Sequence, residues 1–211
     1  LVLFVGYRLR IRNLQLRERA LAMLVAERTA ELQSTNSRLR MLNQREAERS
    51  ADFQQQAMTD ALTGLPNRRA FEHRLGLLLQ DRVPLVLGLL DVDHFKRIND
   101  QYSHGAGDEV LTALGLHLRE RLSSTGSQRR GDPFVARWGG EEFAILWPHA
   151  ALADARDVAD RLRESVAQRA WPREGGAFRL TVSLGLAERW EDESADAFVH
   201  RADAQLYAAK H

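Results

Sequence analysis

Apolar residues recur at the spacing of a long helix in the first part of the chain. No glycine or proline lies between Tyr7 and Thr63, so one helix can run through this stretch without a break. A heptad frame fits it, with apolar side chains at nine of fourteen core positions, although Arg28 and Glu46 interrupt the seam. The pattern predicts a parallel, dimeric coiled coil over residues 7–59. The alternative is a helix that packs on its own domain.

The pattern changes after residue 60 and predicts a separate domain over residues 60–211. Turn residues crowd 60–67, and helical spacing then alternates with short apolar runs that are typical of strands. Helices interleaved with an antiparallel hairpin favour an α+β fold, with a ferredoxin-like or palm-type central sheet and flanking helices. The predicted elements are helices at 68–79, 94–101, 109–122, 152–168 and 195–210, and strands at 85–90, 134–138, 142–147 and 178–185.

Composition excludes several classes of function. The 211 residues carry a net charge of +1, so there is no global basic signature and we expect no nucleic-acid partner. The charge is uneven, because residues 7–50 hold ten arginines against five glutamates and no aspartate. The absence of cysteine excludes disulfides and cysteine-ligated zinc, and it suits a reducing compartment.

The chain starts with an apolar run, residues 1–6, that is followed by Arg8, Arg10 and Arg12. This run is too short to span a bilayer, which needs about 20 residues. A signal peptide would carry its charges before the apolar run, whereas here they follow it. We expect residues 1–6 to be the end of a transmembrane helix, with the arginines on the cytoplasmic side. The alternative is an apolar cap on a soluble coiled coil.

Two acidic motifs lie at the ends of predicted strands. Asp91 and Asp93 follow the strand at 85–90, and two carboxylates at a strand end suit Mg²⁺, which is often held by one or two carboxylates and substrate phosphates. Alternatively, Asp93 caps the next helix. In the second motif Gly139 and Gly140 permit a tight turn that places Glu141 at a hairpin tip, where it can face Asp91. The alternative is a plain turn with solvated glutamates.

A third motif offers groups for a phosphate and a purine base. Lys96 can neutralise phosphate charge, and Asn99 and Asp108 provide the donors and acceptors that hold a base edge. A carboxylate that accepts from a ring N–H and an exocyclic amine selects guanine over adenine. The alternative is that Asn99, Asp100 and Asp108 only cap helices, with Gly105 and Gly107 as loop glycines.

Together these motifs resemble those of the GGDEF family of diguanylate cyclases. The resemblance covers residues 60–210, and Glu141 stands where the family name has Asp, a variant that is usual in active members. The matching motifs are Asp-Ala-Leu-Thr-Gly-Leu-Pro-Asn-Arg-Arg at 60–69, Asp-Val-Asp-His-Phe-Lys-Arg-Ile-Asn-Asp at 91–100, Gly-Ala-Gly-Asp-Glu at 105–109, Gly-Gly-Glu-Glu-Phe at 139–143, Thr-Val-Ser-Leu-Gly at 181–185 and Tyr-Ala-Ala-Lys at 207–210.

The resemblance implies condensation of two GTP into cyclic di-GMP with release of pyrophosphate, on two domains that meet antiparallel. It implies a Mg²⁺ site, with Mn²⁺ as a substitute, formed by Asp91, Glu141 and the Val92 carbonyl. Glu142 is implied as a further catalytic carboxylate, with general base as its role. The substrate-binding residues that it implies are Asn99 and Asp108 for guanine, Lys96 and Lys210 for phosphates, and Phe95, Gly139 and Gly140 around them.

The resemblance also implies a product site at which cyclic di-GMP inhibits the enzyme. Arg129 and Asp132 have the family's Arg-x-x-Asp spacing, and Arg161 matches a further arginine of that site. One extra residue separates this motif from Gly139, so the alternative is a solvated arginine-rich loop. The family's usual Gly-Arg-Asn after the last helix has no counterpart in these residues, so we expect one arginine contact to phosphate to be missing.

The first helix is similar to the segment that follows a membrane span in membrane-bound sensor cyclases. The resemblance implies the cytoplasmic domain of a bacterial inner-membrane sensor, a homodimer through residues 7–59 whose coiled coil sets the activity. The alternative function is a non-catalytic receptor that binds GTP or cyclic di-GMP and signals through its helix. A third reading is a plain dimerisation module, which the dense polar motifs disfavour.

Overall fold

A computed structural model of the chain describes residues 57–122, 131–173 and 176–211, and 21, 23, 28–29, 32–33, 36–42 and 44 before them. The chain divides into two units, Leu1–Gln54 and Gln55–His211. In the first unit every described residue is helical and exposed. Four of the predicted apolar heptad core positions are among them, and their pairing into a coiled coil stays a prediction: Leu21, Leu32, Leu39 and Leu42.

The expected end of a membrane helix at residues 1–6 lies outside the described residues. Within the part of the chain that the structure covers, no helix combines the length and the apolar content that a membrane span requires.

The second unit is an α+β domain with a palm-like sheet, as the sequence predicts. Its helices are α1 (Arg68–Gln80), α2 (Phe95–Tyr102), α3 (His104–Leu122), α4 (Leu152–Gln168) and α5 (Ala195–Lys210). Its strands are β1 (Leu85–Val92), β2 (Phe134–Gly139), β3 (Glu142–Pro148), β4 (Trp171–Arg173), β5 (Gly176–Phe178) and β6 (Val182–Glu188).

Two of the predicted boundaries are wrong. Helix α3 begins at His104 rather than at 109, so Gly105 and Gly107 are helical and not loop glycines. Packing against α2 overrides their low helix propensity. The predicted strand at 178–185 is two elements: its first residue ends the small β4–β5 hairpin, and the central strand starts at Val182. Apolar alternation continues across this point, so the pattern alone does not show where the chain leaves one sheet for another.

The main sheet is antiparallel, with the strand order β2-β3-β1-β6. Strand β1 is central and all eight of its residues are buried, which explains its continuous apolar run. One sheet face packs on α3 and α4 through residues such as Val86 and Leu90. The other packs on α1 and α5 through Leu87 and Leu89. Asp91 continues the second face, opposite Glu142 of β3.

Candidate active site

A group of carboxylates lies at the end of β1. Asp91 is 6% exposed and pairs in register with Glu142 on β3 and with Ser183 on β6. Burial raises the pKa of Asp91, the Lys210 ammonium opposes this rise, and the negative charge of Glu141 adds to it. The structure therefore brings together the acidic residues that the sequence predicts, and their negative charges repel one another.

Glu142 shares this environment. Burial raises its pKa, and the negative charges of Asp91 and Glu141 raise it further. A raised pKa makes a carboxylate a better proton acceptor near neutral pH. Glu142 is thus suited to the role of general base that the sequence predicts.

Lys210 is the cation of the site. It is the last residue of α5, and its Nζ lies 2.7 Å from Asp91 Oδ1. The contact is an ion pair only, because no donor within the described ranges makes a well-aligned hydrogen bond to this buried oxygen. Helix α5 is held against the sheet by buried Phe198, Ala202 and Leu206, so the position of the Lys210 backbone follows from the core.

Asp93 does not cap the helix that follows, so this alternative is wrong. Its Oδ1 accepts a hydrogen bond from Ser183 Oγ at 2.7 Å, and its N–H donates to the Thr181 carbonyl. The N-cap of α2 is His94, at φ +57° and without a side-chain cap. The first N–H groups of a helix have no partner within it and attract anions. The start of α2, which includes Phe95 and Lys96, is therefore open to a phosphate.

The glycine hairpin is clamped by an arginine that sequence reasoning did not single out. Gly140 adopts φ +54° in the turn between β2 and β3, a conformation that favours glycine. Arg137 donates to the Gly140 carbonyl from Nε at 3.1 Å and from Nη2 at 2.8 Å. Its Nη1 donates to both carboxylate oxygens of Asp60, each at 3.1 Å. One guanidinium thus connects the hairpin to the turn that precedes α1.

Asp60 is the fixed centre of that turn. It accepts hydrogen bonds from the N–H and the hydroxyl of Thr63. Burial acts to raise the pKa of Asp60, but the hydrogen bonds from Thr63 and the Arg137 guanidinium outweigh it, so the pKa lies below the ordinary value. No local pattern predicts this contact, because 77 residues separate Asp60 from Arg137. The only indication in the sequence was an arginine two residues before the glycine pair.

The expected base-binding residues lie on the helix pair α2–α3. Asn99 Oδ1 is buried and has no hydrogen-bond partner among the described residues. Gly107 allows the close approach of the two helices, because a Cβ there would overlap Asn99 Oδ1 and lie 3.0 Å from Phe95 Cζ. Asp108 is exposed on α3. The alternative that Asn99, Asp100 and Asp108 only cap helices is wrong, since all three lie inside α2 or α3, and Ser103 Oγ accepts from the Ala106 N–H at the start of α3.

The expected product site is described only in part. Arg129 lies outside the described residues, while Asp132 is partly buried just before β2. Arg161 is exposed on α4 and lines a cavity of about 800 Å³ together with Arg121 and Arg169. The product site stays a prediction.

The residues present fit a divalent cation. Asp91 presents a buried carboxylate oxygen that lies beside the Lys210 ammonium and has no hydrogen-bond partner among the described residues, and Glu141 lies close enough to raise its pKa. Within the described ranges no three or more acidic or histidine side chains are arranged to hold a metal by themselves. A site of two carboxylates and a backbone carbonyl, completed by substrate phosphates, is the usual arrangement for Mg²⁺.

Comparisons with known proteins found a matching family model and similar relatives. The family model described as "Diguanylate cyclase, GGDEF domain" matches residues 57–211. The chain is 42% identical to diguanylate cyclase DgcP of Pseudomonas aeruginosa, over 75% of this chain and 23% of that protein. It is 37% identical to diguanylate cyclase VdcA of Vibrio cholerae, over 77% of this chain and 47% of that protein. The chain thus spans less than half the length of these relatives.

Solved structures resemble the chain as well. The coiled coil and GGDEF domain of DgcB from Caulobacter crescentus, solved in complex with c-di-GMP, superposes with a TM-score of 0.75 at 31% identity, over 85% of this chain and 94% of that one. Diguanylate cyclase SiaD of Pseudomonas aeruginosa, solved with its activator SiaC, gives a TM-score of 0.68 at 31% identity, over 99% of this chain and 81% of that one.

Proposed function

Since the chain belongs to the GGDEF family of diguanylate cyclases, we propose that it condenses two GTP molecules into cyclic di-GMP and releases two pyrophosphates. The observation that carries the proposal is the end of β1, where buried Asp91 faces Glu142 beside Lys210 and the uncapped start of α2. Carboxylates, an ammonium and open helix N–H groups are what a metal-bound nucleoside triphosphate requires.

Guanine is recognised by Asn99 and Asp108. The buried Asn99 Oδ1 without a partner supports this assignment, because a buried acceptor without a donor is costly unless a ligand supplies one. The Asp108 carboxylate accepts from the N1–H and the exocyclic amine of guanine. Adenine lacks this pair of donors, so the site selects GTP over ATP.

The phosphates lie between the start of α2 and the end of α5. Lys96 and Lys210 provide positive charge, and backbone groups around Phe95, Gly139 and Gly140 contact the phosphate oxygens. Asp91, Glu141 and the Val92 carbonyl hold Mg²⁺, or Mn²⁺ in its place. When bound, the metal would neutralise the negative charge that develops on the phosphate oxygens.

In the reaction, the 3′-oxygen of one GTP bonds to the α-phosphorus of the other while the bond from that phosphorus to pyrophosphate breaks. Glu142 accepts the proton of the attacking hydroxyl, a role that its raised pKa supports. Two such displacements close the ring. Each domain holds one nucleotide, so turnover requires a homodimer of antiparallel domains, which the helix of residues 7–59 keeps at high effective concentration.

The helix controls activity through the turn at 57–67. Thr59 pairs with Pro66 across this turn, and Asp60 connects it through Arg137 to the Gly140 carbonyl. A rotation of the preceding helix therefore displaces the catalytic hairpin. Two residues inserted between Ala57 and Thr59 should lower turnover strongly with little change in the thermal stability of the domain. Unchanged turnover would contradict this coupling.

We place the domain in the cytoplasm, below a membrane span that precedes residue 7. We also assign Arg129, Asp132 and Arg161 to a site at which the product inhibits the enzyme. The arginine-rich flank of the apolar start and the cavity beside Arg161 support these two assignments. Inhibition is tested by adding cyclic di-GMP to the assay with the native chain and with Arg161→Ala, which should need more product for the same inhibition.

The test of the main proposal is direct. The purified protein is incubated with GTP and Mg²⁺, and the products are separated by chromatography. We expect cyclic di-GMP and pyrophosphate in a 1:2 ratio, and none with ATP. A dimeric sample that binds GTP without forming product would instead identify a non-catalytic receptor.

A further inference from the structure

Lys210 has a second role that precedes phosphate binding. We propose that Lys210 is a displaceable internal cation: it neutralises Asp91 while the site is empty, and it moves to the phosphates when a divalent ion takes Asp91. The inference deepens the proposed function, on which it rests for the identity of the nucleotide. It makes metal binding and nucleotide binding depend on each other.

The first argument is the contact itself. Lys210 Nζ lies 2.7 Å from Asp91 Oδ1, the oxygen that the metal would need, so the ammonium and a metal ion exclude each other there. The pair is asymmetric in exposure, since the Lys210 side chain is 34% exposed and that of Asp91 only 9%. The ammonium can therefore leave toward solvent, whereas the carboxylate cannot.

The second argument is the choice of residue. The chain has 30 basic residues besides histidine, and only Lys96 and Lys210 are lysines. An arginine fork grips a carboxylate through two parallel hydrogen bonds, whereas lysine is a compact charge on a flexible stem. In this same domain Arg137 holds two acceptors at once, with Nη1 at 3.1 Å from both oxygens of Asp60 and Nη2 at 2.8 Å from the Gly140 carbonyl. A lysine at 210 gives a contact that a competing cation can break.

The third argument is charge. Asp91, Glu141 and Glu142 interact electrostatically, and Lys210 is the ammonium that both Asp91 and Glu142 sense. If the Lys210 ammonium moved away, the negative charges of Asp91, Glu141 and Glu142 would repel one another without a neutralising charge, unless another cation arrived at the same time. A nucleotide then brings phosphates that accept the displaced ammonium. Each ligand thus strengthens the binding of the other, which is positive cooperativity with a negative coupling free energy.

The experiment measures Mn²⁺ binding without nucleotide, by the electron paramagnetic resonance signal of the free ion. Lys210→Met removes the competing cation and should bind Mn²⁺ about 10-fold more tightly than the native chain. Lys210→Arg replaces it with a fork that grips Asp91 and should bind Mn²⁺ more weakly than the native chain. The two substitutions therefore move the affinity in opposite directions.

The matched control is Lys96→Met, the same change at the other lysine, which should leave the Mn²⁺ affinity within about twofold of the native value. Asp91→Asn should abolish binding in the native and Lys210→Met backgrounds alike. A non-hydrolysable GTP analogue should tighten Mn²⁺ binding by the native chain and much less so by Lys210→Met. Circular dichroism checks that each variant is folded.

Three results would overturn the inference: Mn²⁺ binding by Lys210→Met no tighter than that of the native chain, tighter binding by Lys210→Arg, or an unchanged affinity in Asp91→Asn. None of these measurements requires turnover. A chain that forms no cyclic di-GMP but shows the opposite shifts at Lys210 would contradict the proposed function and leave the cation exchange standing.

Discussion

Asp60 and Asp91 are both acidic residues with one basic partner, yet the pKa of Asp60 is lowered and that of Asp91 is raised. The difference lies in the donors. Asp60 accepts hydrogen bonds from the N–H and hydroxyl of Thr63 and from Nη1 of Arg137, so donors within the fold stabilise its charge. Asp91 has an ammonium on one side and other carboxylates around it. The fold thus supplies hydrogen-bond donors to Asp60, whereas one oxygen of Asp91 has no donor among the described residues.

The largest effect is expected from Asp91→Asn, which tests the difference between the two carboxylates. We expect cyclic di-GMP formation to fall by at least about a hundredfold, since the carboxylate proposed to hold the metal ion at the reacting phosphates is lost. The melting temperature should stay the same or rise, because the ionised carboxylate is disfavoured where it is buried. Asp157→Asn, at an exposed position on α4, is the control and should change neither quantity. Marked destabilisation by Asp91→Asn would show that Asp91 is structural.

Arg137→Ala, unlike Asp91→Asn, should lower the stability of the domain. It leaves Asp60 and the Gly140 carbonyl without their donor, so the free energy of unfolding should fall by about 1–3 kcal/mol in urea titrations. Turnover should fall as well, because the hairpin turn loses its clamp. The control is Arg163→Ala, whose pair with Asp160 is long and exposed at 3.8 Å and should contribute almost nothing.

Gly107→Ala extends the comparison to the base site. The added methyl group overlaps Asn99 Oδ1, so Asn99 must move. We expect GTP binding, measured by calorimetry, to weaken about tenfold with a stability loss of about 1–3 kcal/mol. Gly76→Ala is the matched control, because a Cβ there meets nothing within 4 Å. Equal GTP affinity in both variants would show that Asn99 does not bind the base.

The smallest effect is the acid dependence of stability. A pKa of Asp60 below its unfolded value of 3.8 contributes stability that is present above that value and lost as the pH falls toward the folded pKa. The native chain should therefore lose stability more steeply below about pH 5 than Asp60→Asn does. Urea titrations from pH 6 to 3 check this, with Asp160→Asn expected to follow the native curve. If the stabilities of the native chain and of Asp60→Asn fell in parallel with pH, the pKa of Asp60 would be the same in the folded and the unfolded chain.

Much of the fold could be predicted from the sequence, because periodicity reports which faces are buried. Helix α4 and helix α5 have the bounds that the sequence predicts, and the hairpin that carries Glu142 is where two apolar runs flank a glycine pair. The roles of the candidate site residues stay a prediction, and the structure adds that Asp91 and Asn99 each have a buried side-chain oxygen without a hydrogen-bond partner among the described residues.

The rest depended on contacts without a local pattern. The clamp between Asp60 and Arg137 joins distant segments, and nothing in either segment specifies the other. The start of α3 was missed because Gly105 resembles a loop residue until the packing against α2 is known. The β4–β5 hairpin is three residues a strand, too short for its alternation to stand out.

Strand β1 has one more consequence, which concerns folding errors. Its residues alternate between two apolar faces, with Leu90 and Val92 on one side and Asp91 on the other. A slip of one position against its neighbours would exchange these faces and put the Asp91 carboxylate into the core beside α3. Such a molecule would unfold rather than persist with a misplaced site. The register that builds the core is therefore also the register that places Asp91, so a chain with a misplaced candidate site would be an unstable one.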